Sequence, residues 1–262
     1  MTIKPKFSLK KKLALLIISI IILLSFLAGL FVYKGINDIT RTLYLSRSKE
    51  VSTTAAAVVN PAMVQNIKNR VMEIFNASED RVSSEDWGSP EYDAYLERYS
   101  DVEESEEFKT IQQQLRLVQD SNNIKCAYLF WFDLKTGSTI YLVDGTYGEE
   151  YSGPGSFDAV MYEVDYEAMR NPKNGVKPDV TNTEEYGWVV AAGSPIFIDG
   201  ELVAFAGAEI SMNEVMAQRN QFLLITCLSL FALAVVFIIV SIILIDRTIV
   251  RPINKLRAVL MT

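Results

Sequence analysis

The sequence predicts an α+β chain: one antiparallel sheet with a long N-terminal helix, flanked by two transmembrane helices. Three observations carry this. Two apolar runs, residues 13–33 and 222–245, are each long enough to cross a hydrocarbon core of about 30 Å at about 1.5 Å per residue. A helical period of apolar residues holds from residue 34 to about 75. After Asn123 the period changes to two.

Residues 1–12 form a basic N-terminus with Lys4, Lys6, Lys10, Lys11 and Lys12 ahead of the first apolar run. A cleaved signal peptide has an apolar core of only about 7 to 15 residues and ends at small residues. This run is longer and ends in Phe31-Val32-Tyr33-Lys34, so it reads as an uncleaved anchor. Arg247, Arg251, Lys255 and Arg257 follow the second run, and basic flanks on both spans put both chain ends in the cytoplasm. Residues 34–221 are then extracellular. They hold 16 of the 25 Lys and Arg and 31 of the 32 Asp and Glu, a net charge of −15. That acidity speaks for solubility, and it speaks against nucleic acid or an anionic lipid surface as partner of this segment.

Within the outer segment, Ile36, Ile39, Leu43, Val51, Ala55, Val58, Met63, Ile67, Val71 and Ile74 mark one helix continuing from the first span, kinked at Pro61. Ala55-Ala56-Ala57 offers a sheet a close approach to its backbone. Ser89-Pro90 and Ser105-Glu106-Glu107 are helix starts, the second leading into a stripe of Phe108, Ile111, Leu115 and Val118. Residues 126–133 and 138–144 read as a hairpin, with Gly137 suited to a left-handed turn position. A long connection, residues 145–175, includes a short helix near 157–169. Strands follow at about 186–193, 195–198 and 201–210, the last two joined by Asp199-Gly200.

The closing strand runs directly into Ser211-Met212-Asn213-Glu214, whose serine and glutamate have the spacing of a capping box. A helix is therefore expected from Met212 through the second span. Beyond it, Ile249, Ile253, Leu256 and Leu260 repeat at four, three and four residues, the seam of a coiled coil. Such a seam needs a partner to bury it, which points to a homodimer. Ser25 and Gly29 give a small-xxx-small contact in the first span, a weaker sign of helix pairing.

The chain has no histidine, which removes the commonest catalytic base and metal ligand. Its two cysteines, Cys126 outside and Cys227 within the second span, cannot meet. No metal motif, phosphate loop or cofactor motif is present. A hydrolase using paired acids such as Asp133 and Glu209 is the enzymatic rival, and it is disfavoured.

Taken together, the long membrane-proximal helix, the hairpin Tyr128-Leu129-Phe130-Trp131-Phe132-Asp133-Leu134-Lys135-Thr136-Gly137, and Tyr186-Gly187-Trp188-Val189-Val190-Ala191-Ala192-Gly193-Ser194-Pro195-Ile196 leading to Asp199-Gly200 and Gly207-Ala208-Glu209-Ile210 give a pattern. The outer segment resembles a single extracytoplasmic Cache domain, the PAS-like sensor module of bacterial membrane receptors. In that family the last strand commonly ends in aspartate, where Glu209 stands here. Arg251-Pro252-Ile253-Asn254-Lys255-Leu256 is similar to the start of a HAMP linker, occupying 246–262. The resemblance implies a receptor that senses a small extracellular ligand and signals through the second span. The output domain would follow Thr262 as a chemoreceptor tail, histidine kinase, diguanylate cyclase or phosphatase.

Strand parity supplies a site. Leu202, Ala204, Ala206, Ala208 and Ile210 share one face of the closing strand, small enough to lie on the long helix. Val203, Phe205, Gly207 and Glu209 share the other, left for a cavity. Glu209 is the expected ligand-binding residue, with Trp188, Tyr186, Trp131 and Tyr141 as walls. An ammonium on an amino acid, amine or other small metabolite would satisfy the acid and meet aromatic faces. Parity alone leaves open which face of the first hairpin meets the cavity. It also leaves open that Glu209 pairs internally and that the aromatics are plain core. The alternative to a receptor is a membrane-anchored protein-interaction module without a small-molecule ligand.

Overall fold

The computed structural model describes residues 9–183 and 187–253. Two compact units divide the chain: residues 41–214, and residues 1–40 with 215–262. The elements in order are α1 (Leu9–Val58), α2 (Pro61–Ala77), α3 (Pro90–Leu96), α4 (Ser100–Glu103), α5 (Glu106–Asn122), β1 (Cys126–Asp133), β2 (Ser138–Asp144), β3 (Phe157–Asp158), α6 (Glu163–Arg170), β4 (Val176–Thr183), β5 (Gly187–Ile198), β6 (Glu201–Ser211) and α7 (Asn213–Ile245).

The strands form one six-stranded antiparallel sheet in the order β3-β2-β1-β6-β5-β4. The α+β class with a long N-terminal helix is as predicted. At Pro61 the helix does not bend through but stops. Asn60 takes an extended conformation and its side-chain oxygen accepts from the amides of Ala62 and Met63, so Pro61 opens a new helix whose first N–H needs no partner. Ser89 and Ser105 cap α3 and α5 as expected, accepting from Tyr92 N and Phe108 N. The stripe Phe108, Ile111, Leu115 and Val118 is buried. Asn123 ends α5 in the left-handed conformation, φ 47°.

One face of the sheet carries α2 and α5, and the end of α1 reaches it through hydroxyls. Ser48 Oγ donates to Ala208 O at 3.1 Å, and Ser52 and Thr53 each meet Ser194 Oγ at 2.9 Å. Ser48 of α1 thus reaches the backbone of β6, and of the Ala55-Ala56-Ala57 stretch Ala55 is fully buried. On the opposite face Phe130, Phe132 and Phe205 form a ring cluster with Ala168 of α6 and with Met161 just before it.

Two strands depart from expectation. The expected strands at 186–193 and 195–198 are one continuous β5. Pro195 fits within it because β4 pairs only as far as Val176 with Gly193, leaving β5 an edge there. The unpredicted strand β4 is polar and mostly exposed, with Lys177, Pro178 and Asp179 of the kind that blunt sheet edges. The expected helix near 157–169 is shorter, α6, and residues 157–158 are strand. Asp199 and Gly200 both have positive φ, 50° and 87°, as a type I′ hairpin turn requires.

The capping box is not formed as expected: Ser211 still pairs with Val189 as the end of β6, and the helix begins at Asn213. A single residue, the fully buried Met212, joins strand and helix, its N–H donating to Trp188 O at 2.8 Å. Two helices, residues 11–58 and 213–253, are long and apolar enough to cross a membrane. Just before Pro252, residues Asp246–Val250 widen to a π turn, which accommodates a proline that cannot donate to the helical ladder. Of the coiled-coil seam only Ile249 and Ile253 are described; Leu256 and Leu260 lie outside the described residues.

Candidate functional site

Glu209 lies near the end of β6, and register decides what shares its face. Its cross-strand neighbours are Cys126 on β1 and Ala191 on β5. Two residues back, Gly207 pairs with Tyr128 and Gly193, so Tyr128, not Leu129, is on the Glu209 side. This answers the face that parity alone left open. Gly207 has no side chain, and the Tyr128 ring lies over its backbone: a Cβ at 207 would stand 2.5 Å from Tyr128 Cε2. So placed, the Tyr128 hydroxyl donates to Glu209 Oε1 at 2.8 Å.

A cavity of about 240 Å³ opens beside this pair. Cys126 and Tyr128 line it from β1, Tyr141 and Asp144 from β2, Asp158 from β3 and Glu209 from β6. Thr181, Val189 and Ala191 close the β4–β5 side, while Lys125, Glu150 and Ser152 stand on the connections. Tyr141 and Asp144 are three residues apart and would ordinarily point to opposite faces. A bulge in the β1–β2 ladder, where Leu129 pairs with Val143 and Phe130 with Tyr141, leaves Leu142 extra and turns both toward the cavity.

The polar groups form three arrangements. Tyr128 serves Glu209. Tyr141 Oη donates to Asp158 Oδ2 at 3.0 Å, and Ser84 Oγ donates to Asp158 Oδ1 at 2.5 Å. Asp144 is consumed by its own loop, accepting from Thr146 N, Thr146 Oγ1 and Ser152 N at 2.6–2.8 Å. The loop is braced from beneath by Tyr95, whose hydroxyl donates to Gly155 O, and by Tyr99, whose ring occupies the space a side chain at 155 would need. Lys125 Nζ is 3.1 Å from Glu150 Oε1, and the Lys125 amide donates to Glu209 O.

Burial dominates the electrostatics. It pushes the Glu209 carboxyl above its ordinary range, opposed by the Tyr128 hydrogen bond and Lys125 and reinforced by Asp144 and Asp158. Burial likewise raises Asp144 against its donors. The Cys126 thiol is pushed up to about 12, burial first and Glu209 second. Both tyrosines are raised well above their usual value by burial and adjacent carboxylates, so they act as neutral donors. Such a site suits a positive ligand, whose charge would offset the carboxylates that raise Glu209.

Of the residues expected from sequence, Glu209 and Tyr141 line this cavity. Trp188 does not. Val189 and Ala191 are on the cavity side of β5, so the alternation of the strand turns Trp188 away, where it is 36% exposed. Trp131 is on the helix-bearing face of β1, with Lys68 Nζ of α2 3.1 Å from its ring centroid. Tyr186 lies outside the described residues. Asp133 accepts from Lys135 N, Thr136 N and Thr136 Oγ1, a turn role remote from Glu209. Tyr128 and Asp158 were missed. For Tyr128 the opposed glycine, Gly207, was a readable sign; for Asp158 the two-residue strand left none.

No family model and no curated protein matches the sequence. Solved structures similar to it include sensory and ligand-binding domains. The ligand-binding domain of the Campylobacter jejuni chemoreceptor Tlp3 in complex with 4-methylisoleucine aligns over 81% of this chain and 65% of its own length, at 13% identity and TM-score 0.31. The same domain in complex with L-valine aligns over 72% and 66%, at 12% identity and TM-score 0.27. The Escherichia coli DcuS sensor domain aligns over 61% of this chain and 98% of its own, at 15% identity and TM-score 0.30. The chain spans just under two thirds of the Tlp3 domain's length. These likenesses are distant, and the chemistry of the cavity rests on its own residues.

Proposed function

We propose that this chain is the sensory and membrane-spanning part of a receptor, and that a small molecule bearing an ammonium group binds in the Glu209 cavity. The observation that carries the reading is the Tyr128–Glu209 pair: a buried-side carboxylate held by a neutral donor, beside open volume, on the strand that reaches α7 after one residue. Glu209 supplies the countercharge, Tyr128 and Tyr141 supply aromatic walls, and neither Trp188, Trp131 nor Tyr186 is assigned a contact.

In this reading residues 34–221 face the cell exterior, α1 and α7 cross the bilayer, and both termini are cytoplasmic. Occupancy biases the end of β6 and, through Met212, the start of α7. The message passes to a HAMP-type helix pair in a homodimer and on to an output domain. The chain itself is assigned no catalysis. Signalling requires that the ligand bind two arrangements of β6 and α7 with different affinity; equal affinity would shift nothing.

The test is a thermal-shift screen of the whole chain in lipid nanodiscs against amines, amino acids and small carboxylates. A true ligand at a hundred times its Kd stabilises by about 2.7 kcal/mol. The reading expects a raised midpoint that Glu209→Gln removes. A ligand whose shift survives that substitution, or a screen in which only another protein stabilises the chain, would overturn it.

A further inference from the structure

The lining of the cavity discriminates between ligands that share an ammonium. Among the described residues, four carboxylates, Asp144, Glu150, Asp158 and Glu209, face one ammonium, that of Lys125, and no arginine lines the space. The Lys125 side chain is already 3.1 Å from Glu150. A ligand carboxylate would therefore enter a region where Asp144 and Asp158 already raise Glu209, with the Lys125 ammonium engaged.

The acids are also not equivalent. Asp144 spends its oxygens on three donors of its own loop. Glu209 and Asp158 each receive a tyrosine hydroxyl from within the cavity, Tyr128 and Tyr141 respectively. The two rings are neighbours, their centroids 5.5 Å apart and tilted by 58°. The cavity thus has two carboxylate–phenol pairs side by side, with ring faces between them. Among the described residues no three acidic or sulfur side chains converge in a way that would hold a metal ion. An organic cation suits the aromatic walls better, because a desolvated ammonium is attracted to ring faces.

Resting on the reading of this cavity as the ligand site, we infer that the ligand is a short alkyl diamine without a carboxylate, one ammonium at Glu209 and Tyr128, the other at Asp158 and Tyr141. About 240 Å³ accommodates a chain of a few methylenes. Asp158 is then a specificity-determining residue, reading the second positive end.

The experiment is calorimetric titration of the whole chain in nanodiscs with a matched set: 1,4-diaminobutane, butylamine, 4-aminobutanoate and L-ornithine, the last being the diamine with a carboxylate added. The diamine binds tightest, butylamine at least tenfold more weakly, and both carboxylate-bearing probes at least a hundredfold more weakly. Asp158→Asn reduces the diamine to the affinity of butylamine and leaves butylamine unchanged; Glu209→Gln weakens both amines. Melting curves without ligand confirm that both variants fold. If 4-aminobutanoate or ornithine binds as tightly as the diamine and Glu209→Gln weakens it, the diamine assignment falls while the cavity remains the ligand site. If none of the four binds, and an amino acid from the wider screen gives a shift that Glu209→Gln removes, the outcome is the same. If no small molecule responds to Glu209→Gln, the cavity reading and the diamine inference fall together.

Discussion

Gly207→Ala adds one methyl group at the centre of the site, and its effect can be worked from distances. An ideal Cβ at 207 would stand 2.5, 2.6 and 3.0 Å from Cε2, Cζ and Cδ2 of Tyr128. Carbon contacts settle at about 3.5–4.0 Å, so the ring must retreat by about 1 Å. It has little room: Phe130 and Tyr141 lie with ring centroids 5.6 and 5.5 Å away. A move of that size carries the 2.8 Å hydrogen bond to Glu209 toward the distance at which it is lost. Overpacking costs about 1–3 kcal/mol, and a lost hydrogen bond to a charged group about 1.5–3 kcal/mol. A net loss of about 3 kcal/mol corresponds to a midpoint lower by roughly 6–12 °C for a domain of this size. Gly207 does not have positive φ, so without the clash alanine would be neutral or stabilise by about 0.4–1 kcal/mol through the unfolded chain. The two outcomes differ in sign. Urea and thermal denaturation measure them, and a double-mutant cycle with Tyr128→Leu assigns the cause, since the smaller side chain should recover much of the loss. A Gly207→Ala chain as stable as its parent would refute the packing of Tyr128 over this glycine.

Two further perturbations follow from burial. The raised Glu209 carboxyl favours the protonated form in the folded chain, so its contribution is complete below the unfolded value near 4.5 and is lost as pH rises through the folded value. Without ligand, Glu209→Gln should therefore melt above the parent at pH 7, the gap closing by pH 4 in calorimetric scans; a variant that melts lower at pH 7 contradicts this. Burial lowers Lys68 to about 8, so between pH 8 and 10.5 the unfolded chain binds more protons and the parent gains stability relative to Lys68→Met. Urea titrations at pH 7.5 and 9.5 should show that relative gain, and an unchanged difference would count against the burial of this amine beside Trp131.

Where the sequence carried strong local chemistry, it could be read. Ser89 and Ser105 are caps because a hydroxyl at that position satisfies a free amide, and the 3.6 period of Phe108, Ile111, Leu115 and Val118 has one solution. The β1–β2 hairpin and the Asp199-Gly200 turn were equally legible. The β4 strand was not, because an edge strand is built from the polar residues and proline that argue against a strand. Ser211-Met212-Asn213-Glu214 had two readings, and the ladder to Val189 prevailed over the cap by keeping Ser211 in the sheet. For the cavity, parity placed Glu209 among Gly207 and Phe205, but parity within one strand says nothing of register between strands. Pairing of Glu209 with Ala191 turned Trp188 away, and pairing of Gly207 with Tyr128 turned Trp131 toward α2. The bulge at Leu142, which brings Tyr141 and Asp144 to one side, leaves no mark in the residues themselves.

The account is tested most directly by a structure of the chain with 1,4-diaminobutane bound. It predicts one nitrogen within about 2.7–3.2 Å of a Glu209 carboxylate oxygen and the other at the same range from Asp158, the alkyl chain lying against the Tyr128 and Tyr141 rings. Density for the diamine at any other place, with the space beside Glu209 unfilled, would contradict it.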